Sequence, residues 1–116
     1  MLDDYTIIPI SPDMPEGTDF CIIIDNDLME PVIKQGQRIC VSRHQEPEEF
    51  ELGVFYYEGR VYCRQFCEDY AGTLHLLCAN PLRESENIAI GKGKREKCLC
   101  LGRVLLKEKP PRPIYL

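Results

Sequence analysis

Seven cysteines, two histidines and a scatter of serines and carboxylates are the residues of this 116-residue chain that could do chemistry. A cysteine paired with His75 or His44 would make a thiolate nucleophile, because an imidazole that takes the thiol proton generates the reactive sulfur. Cys63-x-x-x-Cys67 and Cys98-x-Cys100 put sulfurs on common strand faces, and four thiolates suffice for a tetrahedral zinc. Their spacing departs from the usual zinc knuckle, with its paired cysteines on a tight turn. Core packing is therefore the better assignment, and no metal or cofactor is expected. Ser11, Ser42 and Ser85 offer hydroxyls, but none has a lysine or histidine partner in sequence to take its proton. Asp27 offers a carboxylate nucleophile with no second acid to serve it.

The elements that would position these groups are short strands. Phe20-Cys21-Ile22-Ile23-Ile24 is an unbroken β-branched run, as in a strand covered on both faces. Gln35-Gly36-Gln37 supplies a turn, and Arg38-Ile39-Cys40-Val41-Ser42 restarts as a second strand. Between them lies Asn26-Asp27-Leu28-Met29-Glu30-Pro31, a polar connection where a β-fold can place a site. Tyr5–Ile10 is an edge strand interrupted by proline, followed by a rigid loop at Ser11–Gly17. After an acidic loop closed by Leu52-Gly53, Val54–Tyr57 and Arg60–Cys67 make a hairpin around Glu58-Gly59. Alternation puts Val61, Cys63, Gln65 and Cys67 on one face of the return strand. Arg60, Tyr62, Arg64 and Phe66 take the other, so Arg64 is expected to be partly buried. Further strands are read at Thr73–Cys78, Ile88–Ile90 and Cys98–Leu106, with a basic turn at Gly91–Lys97. Three prolines in Lys107–Leu116 dictate an extended arm. Ile114, Tyr115 and Leu116 would be its apolar contacts, on its own domain or on a partner subunit.

Read together, these landmarks resemble the C-terminal domain family of LexA and the phage repressors, the Ser-Lys peptidases that cut themselves. Asn26-Asp27-Leu28-Met29-Glu30-Pro31 is similar to the family's Gly-Asp-Ser-Met-x-Pro, and Val61-Tyr62-Cys63-Arg64-Gln65-Phe66 to its Val-x-Val-Lys-Arg-Leu. Asn80-Pro81, the strand Ile88-Ala89-Ile90 and Gly102-Arg103-Val104 fall in the family's order. The resemblance implies a mainly β, LexA/signal-peptidase-like compact fold of short, mostly antiparallel strands and hairpins with little helix. It places an N-terminal edge strand and loop at 1–18, the peptidase-type domain at 19–106 and the arm at 107–116. It also removes the chemistry, because Leu28 stands in the nucleophilic Ser position and Arg64 in that of the Lys base. A guanidinium stays protonated at any working pH and cannot serve as base. Asn26, Asp27, Leu28, Met29, Pro31 and Arg64 would then form a vestigial site. The buried Arg64 cation would need Asp27, Asp25 or Glu30 as an ion-pair partner. No Ala-Gly cleavage pair occurs upstream.

Composition sets outer bounds. The length suits one small domain, and 44% apolar residues suffice for its core. A net charge of −5 argues against this segment gripping a nucleic-acid backbone, so DNA contact would fall to a helix-turn-helix domain outside it. Cysteines buried in apolar runs and a start, Met1-Leu2-Asp3-Asp4, without signal-peptide character point to a reducing cytoplasm. No apolar run reaches membrane-spanning length. The resulting expectation is an inactive regulatory and dimerisation domain of a bacterial or prophage transcriptional regulator, working as a homodimer, with no small-molecule substrate identified. The alternatives are an active Ser-Lys-type or relocated-nucleophile peptidase, and a peptide-binding module that keeps the old substrate cleft.

Overall fold

β-Branched runs punctuated by glycine turns become the strands expected of them. The computed structural model describes residues 5–116, so the Met1–Asp4 start lies outside the described residues. The strands are β1 (Tyr5–Ile8), β2 (Phe20–Ile24), β3 (Arg38–Ser42), β4 (Leu52–Tyr57), β5 (Arg60–Glu68), β6 (Leu74–Leu77), β7 (Ile88–Ile90) and β8 (Leu99–Val104). They form one antiparallel eight-stranded sheet in the order β1-β2-β3-β8-β4-β5-β6-β7. The proline-interrupted first strand is an edge. Glu58 and Gly59 both take positive φ, 49° and 80°, the geometry that lets a two-residue turn follow the twist of its strands.

The two faces of the β4–β5 hairpin feed different apolar clusters. Leu52, Val54, Val61 and Cys63 join Ile22, Ile24, Met29, Ile33, Val41 and Val104 in the larger core. Phe55 and Tyr57 join Leu74, Leu76 and Ile90 in the smaller one, with Tyr62 and Phe66 packed against it. The aromatic hairpin is thus spent on the interior.

β8 is the last strand in sequence and lies in the middle of the sheet. Its end pairs with β3 through Val41↔Val104 and Ser42↔Arg103, while most of its length pairs with β4. The register shifts opposite Val54 and Phe55. Gly102 sits at this crossing, where an added Cβ would lie 2.4 Å from Ser42 O.

Several boundaries differ from the sequence expectation. Leu52-Gly53 begins β4 rather than closing the preceding loop. The basic turn is a 3-10 helix at Lys92–Lys97, and another follows Asn80 at Pro81–Glu86. The arm is extended and lies on its own domain, and of its three expected contacts Tyr115 anchors it while Ile114 and Leu116 are exposed. Ile114 is 84% exposed and Leu116 48%, whereas Pro110 and Pro113 are buried. Gln65 Nε2 donates to Pro111 O at 3.0 Å, and Tyr115 Oη donates to Cys78 O. Two buried prolines and the side-chain donors of Gln65 and Tyr115 fix the tail.

Gly102→Ala is expected to lower stability by about 2 kcal/mol or more, because backbone at the crossing must move. Urea unfolding checks it: the midpoint should fall with little change in slope.

Candidate functional site

The connection between β2 and β3 is pinched at its neck and built inside as a tight turn. Ile24 N–H donates to Gln37 O at 2.9 Å, and Ile24 O accepts from Gly36 N–H at 2.7 Å. Asn26 Oδ1 accepts the Leu28 N–H at 3.1 Å, so the asparagine folds the chain back on itself. Ile33 N–H donates to Met29 O at 2.9 Å, completing a turn whose apolar side is Met29 and Ile33, 1% and 0% exposed. With Met29 sunk in the larger core, its neighbour Leu28 is left half-buried outside both clusters. The Glu30–Pro31 peptide is cis, and Glu30 accepts from the Gln35 N–H at 3.2 Å.

The exit of β6 holds this turn from the other side. Asn80 N–H donates to Leu28 O at 3.0 Å and Asn80 Nδ2 to Asp27 O at 2.9 Å. The same asparagine accepts the Leu82 N–H through Oδ1 at 3.0 Å and so caps the 3-10 helix. That helix carries Arg83, whose Nε and Nη2 meet the two oxygens of Asp27 at 3.1 and 3.0 Å. The fork geometry matches a carboxylate and holds the Asp27 carboxyl below its ordinary 3.8.

Arg64 lies along the same segment. Gln65 pairs with Leu77, so the next step along each strand sets Arg64 against Cys78. The guanidinium lowers the Cys78 thiol against the larger upward push of burial. Leu28 and Arg64 therefore flank one short stretch, Cys78-Ala79-Asn80. Arg64 is only 4% exposed, more deeply buried than expected. Nη1 donates to Cys63 O at 2.9 Å, the guanidinium stands 5.3 Å over the Tyr62 ring, and buried Nε has no hydrogen-bond partner among the described residues.

None of the three expected ion pairs forms among the described residues. Asp27 is taken by Arg83, which reaches it at the surface, Glu30 turns to the Gln35 amide, and Asp25 is exposed. Backbone and ring electrons replace the missing carboxylate.

Other candidate nucleophiles are placed as follows. Ser11 donates to Asp13, Ser42 is buried in β3, and Ser85 is exposed on the first 3-10 helix. No hydrogen bond joins any of them to lysine or histidine among the described residues. His44 is exposed beside Asp19. His75 sits opposite Cys67 across β5 and β6, bonded through Nε2 to Asp69 at 2.9 Å. Burial, then Glu49, pushes the Cys67 thiol up, which opposes the thiolate that such a pair would need. Cys63 is sealed in the larger core, and the described residues contain no metal-holding group of three or more His, Cys, Asp or Glu.

Sequence reasoning missed Arg83 and Gln65. Arg83 is one exposed cation among many, with nothing local to mark it. Gln65 is 0% exposed and spans Phe50 O and Pro111 O at 2.9 and 3.0 Å, tying β5 to the arm. Beside it, Pro31, Val32, Ala79, Pro81 and Pro111–Ile114 line a cavity of about 210 Å³, so the arm roofs the flank of the turn.

The chain is thus a mainly β domain, one antiparallel sheet with a turn held against the exit of β6. A family model described as Peptidase S24-like matches residues 2–105, and the chain belongs to that family, which includes the LexA and phage-repressor C-terminal domains. No curated protein matches it.

Asp27 and Asp69, held below 3.8 by Arg83 and by His75, contribute stability that is complete above that value and lost as pH falls through their lower folded values. In thermal melts, Asp27→Asn should lie below the parent near neutrality and converge with it in acid. Arg64→Met keeps the volume and removes the unpartnered Nε. It should leave stability unchanged or raise it by about 1 kcal/mol in urea unfolding.

Proposed function

We propose that this chain is a catalytically silent member of its family. It serves as the regulatory and dimerisation domain of a bacterial or prophage transcriptional regulator in the cytoplasm. What supports the reading is the identity of two residues near Cys78–Asn80, Leu28 held there by its carbonyl and Arg64 by its charge, which by the motif resemblance take the nucleophile and base positions. Leu28 has no atom to attack a carbonyl, and Arg64 has no lone pair to accept a proton. Losing one member of a comparable hydrolase constellation removes on the order of a million-fold in rate, and here both are replaced.

The surroundings support a site filled rather than waiting. Asp27 is neutralised by Arg83. The cavity beside the turn is roofed by the chain's own arm, which favours a closed scaffold over a groove that captures foreign peptide. The charge of −5 supports leaving DNA contact to a helix-turn-helix domain outside this sequence.

The chain should stay intact through prolonged incubation at alkaline pH and remain unlabelled by a fluorophosphonate. Self-cleavage or labelling would overturn catalytic silence. Sedimentation should give a dimer; a monomer at high concentration would remove the dimerisation role.

A further inference from the structure

Two sulfurs face each other across β2 and β3, three pairs from the neck of their connection. Cys21 and Cys40 are direct cross-strand partners, with Sγ atoms 3.0 Å apart. The Ile24 N–H to Gln37 O bond fixes the ladder's phase, so the exchanging pairs are Ile24:Gln37, Ile22:Ile39 and Phe20:Val41. Cys21:Cys40 therefore falls on a pair that exchanges no backbone bonds. Cα atoms are closest there, about 4.5 Å, within the span a disulfide accepts. Other arrangements would need backbone to move; this one needs rotation of two side chains.

We propose that Cys21 and Cys40 are a modification site, joined by a reversible disulfide when the chain meets a peroxide. Cys40, 6% exposed against 0% for Cys21, is the point of entry. Burial, then the Cys40 sulfur, pushes the Cys21 thiol up to about 12, which makes Cys21 the poorer group to meet the peroxide first. The Cys40 sulfur attacks one peroxide oxygen and the O–O bond breaks, giving a sulfenic acid and water. The Cys21 sulfur then attacks the Cys40 sulfur, the S–O bond breaks, and the hydroxyl leaves with a proton as a second water. Two thiols lose two electrons and two protons, and the peroxide is reduced. The ring so closed contains Asn26–Pro31 whole, so the bond would clamp the turn independently of any catalytic role.

Hydrogen peroxide treatment of the full chain tests this. The expected product is lighter by two hydrogens. Its non-reduced tryptic map should join the peptide Met1–Lys34 to the peptide Ile39–Arg43, and dithiothreitol should restore the starting mass. The oxidised form should melt higher by on the order of 10 °C. Cys40→Ser should abolish the linked peptide and Cys100→Ser should keep it; if Cys40→Ser fails to fold, the map of the parent chain decides alone. Met14 Sδ lies 3.2 Å from Cys21 Sγ. Met14 sulfoxide with both thiols free would overturn the proposal, as would a linkage confined to other cysteines.

Discussion

The placement of Met29 governs the site. Burying this side chain is worth roughly 1.5–3 kcal/mol, and with it committed to the core the next residue back, Leu28, stays half-buried outside both clusters. Asn80 then locks that choice, because its backbone and side-chain donors take the carbonyls of Leu28 and Asp27. One apolar anchor and one asparagine thus determine what position 28 faces, whatever residue occupies it. Neither determinant is itself a reacting group, so the turn keeps its shape independently of any chemistry.

The setting of Arg64 follows from where its charge can be satisfied. A buried cation is costly unless compensated, and the nearest signature acid is drawn to the surface by Arg83. The remaining compensation is a carbonyl of its own strand and the face of Tyr62. These hold a charge but give it nothing to exchange protons with. Gln65, one residue on, carries the tie to the arm, so adjacent positions of β5 serve two different structures.

Local pattern made the strands legible. Phe20–Ile24 and Arg38–Ser42 are the β2 and β3 boundaries as read, and Glu58-Gly59 is the hairpin turn because only certain residues tolerate positive φ there. Alternation put Arg64 on the aromatic face of β5. What could not be read depends on distance. The partner of Asp27 is 56 residues away in sequence, and a surface arginine has no feature that announces it. Gly53 reads as a loop terminator, yet it is a strand residue with no room for a Cβ, 2.8 Å from the Phe55 ring. The 3-10 helices are six residues each, too short for a periodic signal. Prolines revealed that the arm is extended, but the atoms it bonds, on Gln65 in β5 and on Cys78 just past β6, lie far from it in sequence.

The central position of β8 has a consequence for how the molecule is made. β1 to β3 and β4 to β7 can each pair locally as they are synthesised, but within the sheet the two sets are bridged by residues 99–104. Until that segment emerges from the ribosome, the nascent chain carries two half-sheets with open inner margins, vulnerable to pairing with a neighbour's. Completion waits for the insertion of one late strand between two waiting edges, a topology that makes assembly slow for a chain of this size.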